Sequence, residues 1–206
     1  MIAARLALVI ATLIAPVAGA GSVTDPFGAA TVTVPAGRLV DQWHAVNVQM
    51  LRDKALVESC LMGGSEQCGP ALALLGVVSE ARQQSGLAMI GHVNRAINLA
   101  IMPAPATWLG PLDALKLGTG DCKSYSIAKY FALRELGIRH VRVVIVRNLQ
   151  RPENHMVVAV NFDGQWLVLD NLTMVMAADT EVPQYAPLFV LDGHGVRRYG
   201  GAVSLE

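Results

Sequence analysis

From Arg38 to about Cys60, the apolar residues Val40, Trp43, Val46, Met50 and Leu51 recur at helical spacing, so this stretch predicts an amphipathic helix. A second helix opens near Pro70, a residue suited to a first helical turn, and runs to Gly86 as its C-cap. Ile90, Val93, Ile97 and Ile101 form the stripe of a third helix. Met102–Pro111 reads as a loop, followed by a short helix around Leu112–Leu117. A glycine-bracketed turn, Gly118-Thr119-Gly120, leads into a helix that starts near Cys122, buries Ile127, Phe131 and Leu136, and stops at Gly137.

After Gly137 the period changes. Val141–Asn148, His155–Phe162, Gln165–Leu172 and Pro187–Asp192 read as strands, and Gly193–Gly200 adds a short edge. Asp163-Gly164 is a strong hairpin signal between two of them. Helices first and an antiparallel sheet second predict an α+β domain.

The N-terminus reads differently. Leu6–Ala15 is an apolar run too short to span a bilayer, preceded by Arg5, broken by Pro16 and followed by the small-residue stretch Ala18-Gly19-Ala20. These features predict a signal peptide over residues 1–20, the alternative being a short uncleaved anchor. Either places the rest of the chain outside the cytoplasm. Residues 21–36 read as an extended, weakly ordered lead-in, and 37–206 as the domain.

Composition narrows the function classes. The 206-residue chain is 53% hydrophobic with a formal net charge of +0. One domain of this size can build a proper core. The neutral balance argues against nucleic acid or an anionic membrane surface as a partner.

In an exported chain the three cysteines separate. Cys60 and Cys68 flank a helix–loop–helix corner and are placed to form a disulfide. A structural zinc is less well supported, because the pair supplies two ligands and nothing nearby completes four. Cys122 is the odd thiol. At a helix N-terminus it faces unpaired N–H groups and the positive end of the helix dipole, a setting that activates thiols in general.

A cysteine nucleophile needs a base, and the base an orienting group. His155 begins one strand of the hairpin and Asp170 ends the other, nearly symmetric about the turn. Antiparallel pairing therefore makes them cross-strand neighbours. With Cys122 at the start of a helix packed on that sheet, the three form a candidate Cys–His–Asp triad.

The segments GDCKSYSIAKYFALRELGI, HMVVAV and WLVLDNLT, with VNRAINLAI upstream, resemble the bacterial transglutaminase-like cysteine proteinases, the LapG-type periplasmic proteases, over roughly residues 40–190. The resemblance implies a papain-like or transglutaminase-like core and catalytic roles for Cys122, His155 and Asp170. It implies proteolysis of a periplasmic or surface protein such as an adhesin, under an inner-membrane receptor that sequesters the protease. It also suggests Trp108 as an oxyanion donor through its indole N–H, the alternative being a tryptophan that packs the rim of the core. One departure stands out. The family commonly carries acids just after the cysteine and depends on calcium held there, whereas this chain has Lys123 and Ser124 after Asp121-Cys122. A calcium site needs six to eight oxygens and gains from ligand charge, so a calcium requirement of that type is not expected and no metal site is assigned. Lys123 either helps hold a thiolate or is simply solvated. The competing functional reading is a catalytically silent or transamidating relative that serves as a periplasmic binding module.

Overall fold

A computed structural model describes residues 24–63 and 68–201. The expected signal peptide lies outside them.

The first helix, α1, spans Arg38–Leu61 and buries Trp43, Val46, Met50 and Val57. The second, α2, spans Gly69–Arg82, with Pro70 in its first turn. It ends before Gly86, which opens α3 (Gly86–Ala100) instead of capping α2. The three residues between the helices are enough for the reversal, because Gly86 adopts a left-handed φ of 57°. A disulfide joins Cys60 to Cys68, with Cα atoms 5.7 Å apart, and pins the α1–α2 corner. Next come α4 (Pro111–Leu117) and α5 (Cys122–Glu135).

Seven strands form the main sheet. They are β1 (Thr31–Thr33), β4 (Val141–Asn148), β5 (Asn154–Phe162), β6 (Gln165–Leu169), β7 (Ala177–Ala178), β8 (Tyr185–Asp192) and β9 (Gly195–Tyr199). Their order is β1-β9-β8-β4-β5-β6-β7, with every pairing antiparallel. Two further short strands, β2 (Met102–Pro103) and β3 (Thr119–Gly120), pair in parallel. The architecture is α+β, as the change of period predicts.

The sheet is buried on both faces. Val143, Ile145, Met156, Val158 and Leu169 join the helices in the main core. Val144, Val157, Ala159, Val168 and Tyr199 form a second apolar layer, closed in part by Phe27 and Ala29. The described part of the lead-in, expected to be weakly ordered, pairs as β1 with β9 and is tied to the domain. Asp25 accepts from Arg197 at 2.9 and 3.0 Å, and the buried Asp192 accepts from the same guanidinium.

Candidate active site

Cys122 is the first residue of α5, and three local features hold it there. Asp121 caps the helix, its Oδ1 accepting from the backbone N–H of Lys123 at 3.0 Å and of Ser124 at 3.4 Å. Gly118 closes α4 in the left-handed conformation, its N–H donating to Ala114 O. Gly120 lies so close to the helix that a Cβ there would stand 2.4 Å from Ser124 Cβ. The β2–β3 ladder braces this turn from behind, with Met102 N–H donating to Gly118 O and Ala104 N–H to Gly120 O. The Tyr125 hydroxyl also donates to Ile101 O.

The base and its partner come from the hairpin, with a register the sequence reading missed. Asp163 and Gly164, both at positive φ, form a two-residue turn with Phe162 opposite Gln165. The ladder ends at Val158 opposite Leu169. Continued one step, it places Asp170 opposite Val157, so His155 is a diagonal neighbour and not a direct cross-strand partner. Diagonal positions are about 7–8 Å apart, within reach of long side chains. His155 Nε2 lies 2.8 Å from Asp170 Oδ1.

Nε2 being taken, Nδ1 is the ring nitrogen left to face Cys122, which stands beside His155 in the lining of one cavity. Ser126 Oγ donates to Met156 O at 2.9 Å, fastening α5 to β5 one residue from His155. The structure therefore brings Cys122, His155 and Asp170 together. The first is half-buried and the other two are buried.

Burial of His155 favours its neutral form. The hydrogen bond with Asp170 and the neighbouring Cys122 outweigh that and push its pKa up to about 9. Burial likewise works against the Asp170 charge, but contacts with His155, Tyr185 and the Leu172 N–H leave its carboxyl below the ordinary range.

Two further residues of this cluster escaped the sequence reading. Tyr185, at the start of β8, donates its hydroxyl to Asp170 Oδ2, and its ring lies 5.6 Å from the His155 ring. No local pattern marks a tyrosine this far along the chain as a neighbour of the hairpin. Only the β4–β8 pairing brings it there. Lys129, two turns into α5, is buried, and burial pulls its pKa down to about 7 while the Asp170 charge opposes the shift. Outside the cluster, Asn98 Nδ2 donates to Asp170 O and Thr173 O, holding the loop after β6 against α3.

Trp108 is half-buried against the main core and also lines a cavity of about 620 Å³ together with Cys122 and His155. A second cavity, about 400 Å³, shares Cys122, Asn154 and His155 with the first. The thiol and the imidazole thus stand where two cavities meet.

Both Asp121 oxygens are engaged, Oδ1 by the helix N–H groups and Oδ2 by the Lys123 ammonium. Among the described residues, no group of three or more His, Cys, Asp or Glu side chains is arranged to hold a metal. No described helix is long and apolar enough to cross a membrane.

Residues 60–185 match the model of a family described as bacterial transglutaminase-like cysteine proteinase. Among solved structures, Legionella pneumophila LapG is similar, with a TM-score of 0.59 and 18% identity over 71% of this chain and 87% of that one. Its calcium-bound form gives a TM-score of 0.58 and 20% identity over 76% and 93%. No curated protein sequence matches significantly. Identities this low carry the fold and not the function of individual residues.

Proposed function

Because the chain belongs to the bacterial transglutaminase-like cysteine proteinase family, we propose that it is an exported cysteine endopeptidase with Cys122 as nucleophile, His155 as base and Asp170 as the group that orients the imidazole. The observation that carries this reading is the His155–Asp170 hydrogen bond of 2.8 Å beside Cys122, at a cavity that the cysteine and the histidine line together.

His155 Nδ1 takes the proton from Cys122 Sγ, giving a thiolate–imidazolium pair. The raised pKa of His155 favours that charged partner. The thiolate attacks a peptide carbonyl, and the developing oxyanion is received by the Cys122 backbone N–H with the Trp108 indole N–H as second donor. Trp43 and Trp166 spend their indole N–H groups on Asp192 O and Thr24 O. That Trp108 lines the cavity beside Cys122 supports this role. The C–N bond then breaks, the imidazolium protonates the leaving amine, and water releases the acyl group. Asp170, fixed by Tyr185 and the Leu172 N–H, holds the imidazole in one tautomer throughout.

The substrate we assign is a protein outside the cytoplasm, such as a surface adhesin, and the regulator an inner-membrane receptor. Periplasmic location is supported by the disulfide, which persists in oxidising compartments. Calcium is named with one of the similar structures, but the Lys123–Asp121 pair supports an enzyme that works without it.

The test is the rate of Cys122 alkylation by iodoacetamide from pH 4 to 10, with His155→Ala in parallel. The expected result is fast labelling at neutral pH, at least about tenfold slower in the variant. Slow labelling that is identical in the two proteins would mean that Cys122 is a structural thiol and the chain a binding module.

A further inference from the structure

The larger cavity beside Cys122 draws its walls from two parts of the chain. Three buried apolar side chains of the central sheet, Ile145, Met156 and Phe189, line one side. Val34, Leu39 and Val40, where the chain passes from β1 into α1, line another. No Asp or Glu lines the cavity; of its cationic residues Lys123 is held by Asp121, His155 is held by Asp170, and Arg38 is exposed at the start of α1, away from the sheet wall.

This composition selects for the chemistry of a bound side chain. Its volume of about 620 Å³ falls within the range of pockets that enclose a ligand. A carboxylate or ammonium set against Ile145, Met156 and Phe189 would lose hydration, and none of these three side chains offers a polar group to replace it. A large apolar side chain would gain burial there, and a single methylene in such a pocket is worth about 10- to 200-fold in discrimination. Because the nucleophile lines the same cavity, that gain falls on residues next to the bond being cut.

The two sources of the lining also differ in another respect. Cys122, His155 and Asp170 lie inside the region that matches the family, residues 60–185. Val34, Leu39, Val40 and Phe189 lie outside it. The matched segment therefore holds the reacting groups, while residues on either side of it supply part of the cavity that meets them.

We propose that this cavity is a specificity pocket for a large apolar side chain, of the size of Leu, Met or Phe, within two residues of the scissile bond of a polypeptide substrate, and that Val34, Leu39 and Val40 determine that specificity. The proposal rests on Cys122 being the nucleophile.

The test uses the mature chain and a series of peptidyl chloromethyl ketones whose chloride is displaced by Cys122 Sγ. The side chain at the first or second position from the ketone is varied among Leu, Phe, Gly, Asp and Lys. Labelling rates are read by mass spectrometry and divided by the iodoacetamide rate of the same protein. The Leu and Phe probes are expected to label at least tenfold faster than the Gly, Asp and Lys probes at one of the two positions. Leu39→Glu, a change at a half-buried site, is expected to lower the Leu and Phe ratios at least fivefold and raise the Lys ratio. Val34→Glu serves the same purpose if the first variant fails to fold, as judged by its thermal melt. Equal rates across the series, with Cys122 still alkylated by iodoacetamide, overturn the pocket and leave the nucleophile standing. An unchanged profile in a folded glutamate variant also overturns it. Failure of every reagent at Cys122 removes the nucleophile reading and the pocket with it.

Discussion

The carboxylate of Asp170 is gripped from two sides: His155 Nε2 lies 2.8 Å from Oδ1, and the Tyr185 hydroxyl donates to Oδ2. The tyrosine arrives from β8, across the sheet from the hairpin that supplies the other two. It therefore fixes the rotation of the carboxylate that orients the base.

If that fixation matters, Tyr185→Phe should lower kcat by roughly tenfold with little change in KM, because the hydroxyl touches Asp170 and not the substrate. A hydrogen bond to a charged acceptor is worth about 1.5–3 kcal/mol. Steady-state kinetics on a cleaved peptide would show it, and a variant that changed KM alone would assign Tyr185 to substrate binding instead.

The pH dependence of stability follows from the same pair. His155 has a higher pKa folded than unfolded, about 9 against an ordinary 6.5. Between those values the folded state holds more protons, so stability falls as pH rises from about 6.5 through about 9. The effect is on the order of 3 kcal/mol at most for a shift of this size. The Asp170 carboxyl is shifted the other way, so its contribution is present above the usual carboxylate range and lost in acid. Urea titrations at pH 6.5 and 9.5 should show the alkaline loss in the native protein and a shallower one in His155→Ala. Equal slopes in the two proteins would contradict the assignment.

Much of this site is legible in the sequence. Cys122 at a helix start and the Asp-Gly hairpin are local signals, and both stand in the structure. The exact register was not, because symmetry about a turn is good only to a residue or two until the loop length is known. Tyr185 and Lys129 were not legible either. Their relation to Asp170 comes from strand order and helix packing, which leave no trace in local spacing. The tie between Asp25 and Arg197 was missed for the same reason, since the residues stand at opposite ends of the chain. Met156–Val160 and Val143–Val146 are apolar without alternation, the pattern of strands buried on both faces. That pattern requires a second covering layer, which Phe27 and Ala29 help to supply.

The Cys60–Cys68 bridge is expected to contribute to stability and not to chemistry. It closes a short loop far along the chain from Cys122, and a loop of this length is worth about 2–3 kcal/mol in the chain-entropy account. Replacing both cysteines with serine should lower Tm by several degrees and leave the Cys122 alkylation rate unchanged. A fall in that rate in protein that is still folded would show that the α1–α2 corner bears on the site.

Calcium should be dispensable, and the reason lies in one ion pair. The Lys123 ammonium contacts Asp121 Oδ2, while Oδ1 caps α5. A divalent ion would have to displace a tethered cation and compete with two backbone N–H groups for a single carboxylate. EGTA should therefore change neither activity nor Tm, and millimolar calcium should give no stabilisation of the kind that ligand binding to the native state produces. Lys123→Asp removes the tethered cation and sets two carboxylates side by side. The pair is partly exposed, so the loss should be modest, about 1 kcal/mol, and calcium should restore part of it. The decisive measurement is a thermal melt and an activity assay of both proteins with EGTA and with calcium. Native protein that loses activity in EGTA and regains it with calcium would show that the ion binds through groups other than those beside Cys122.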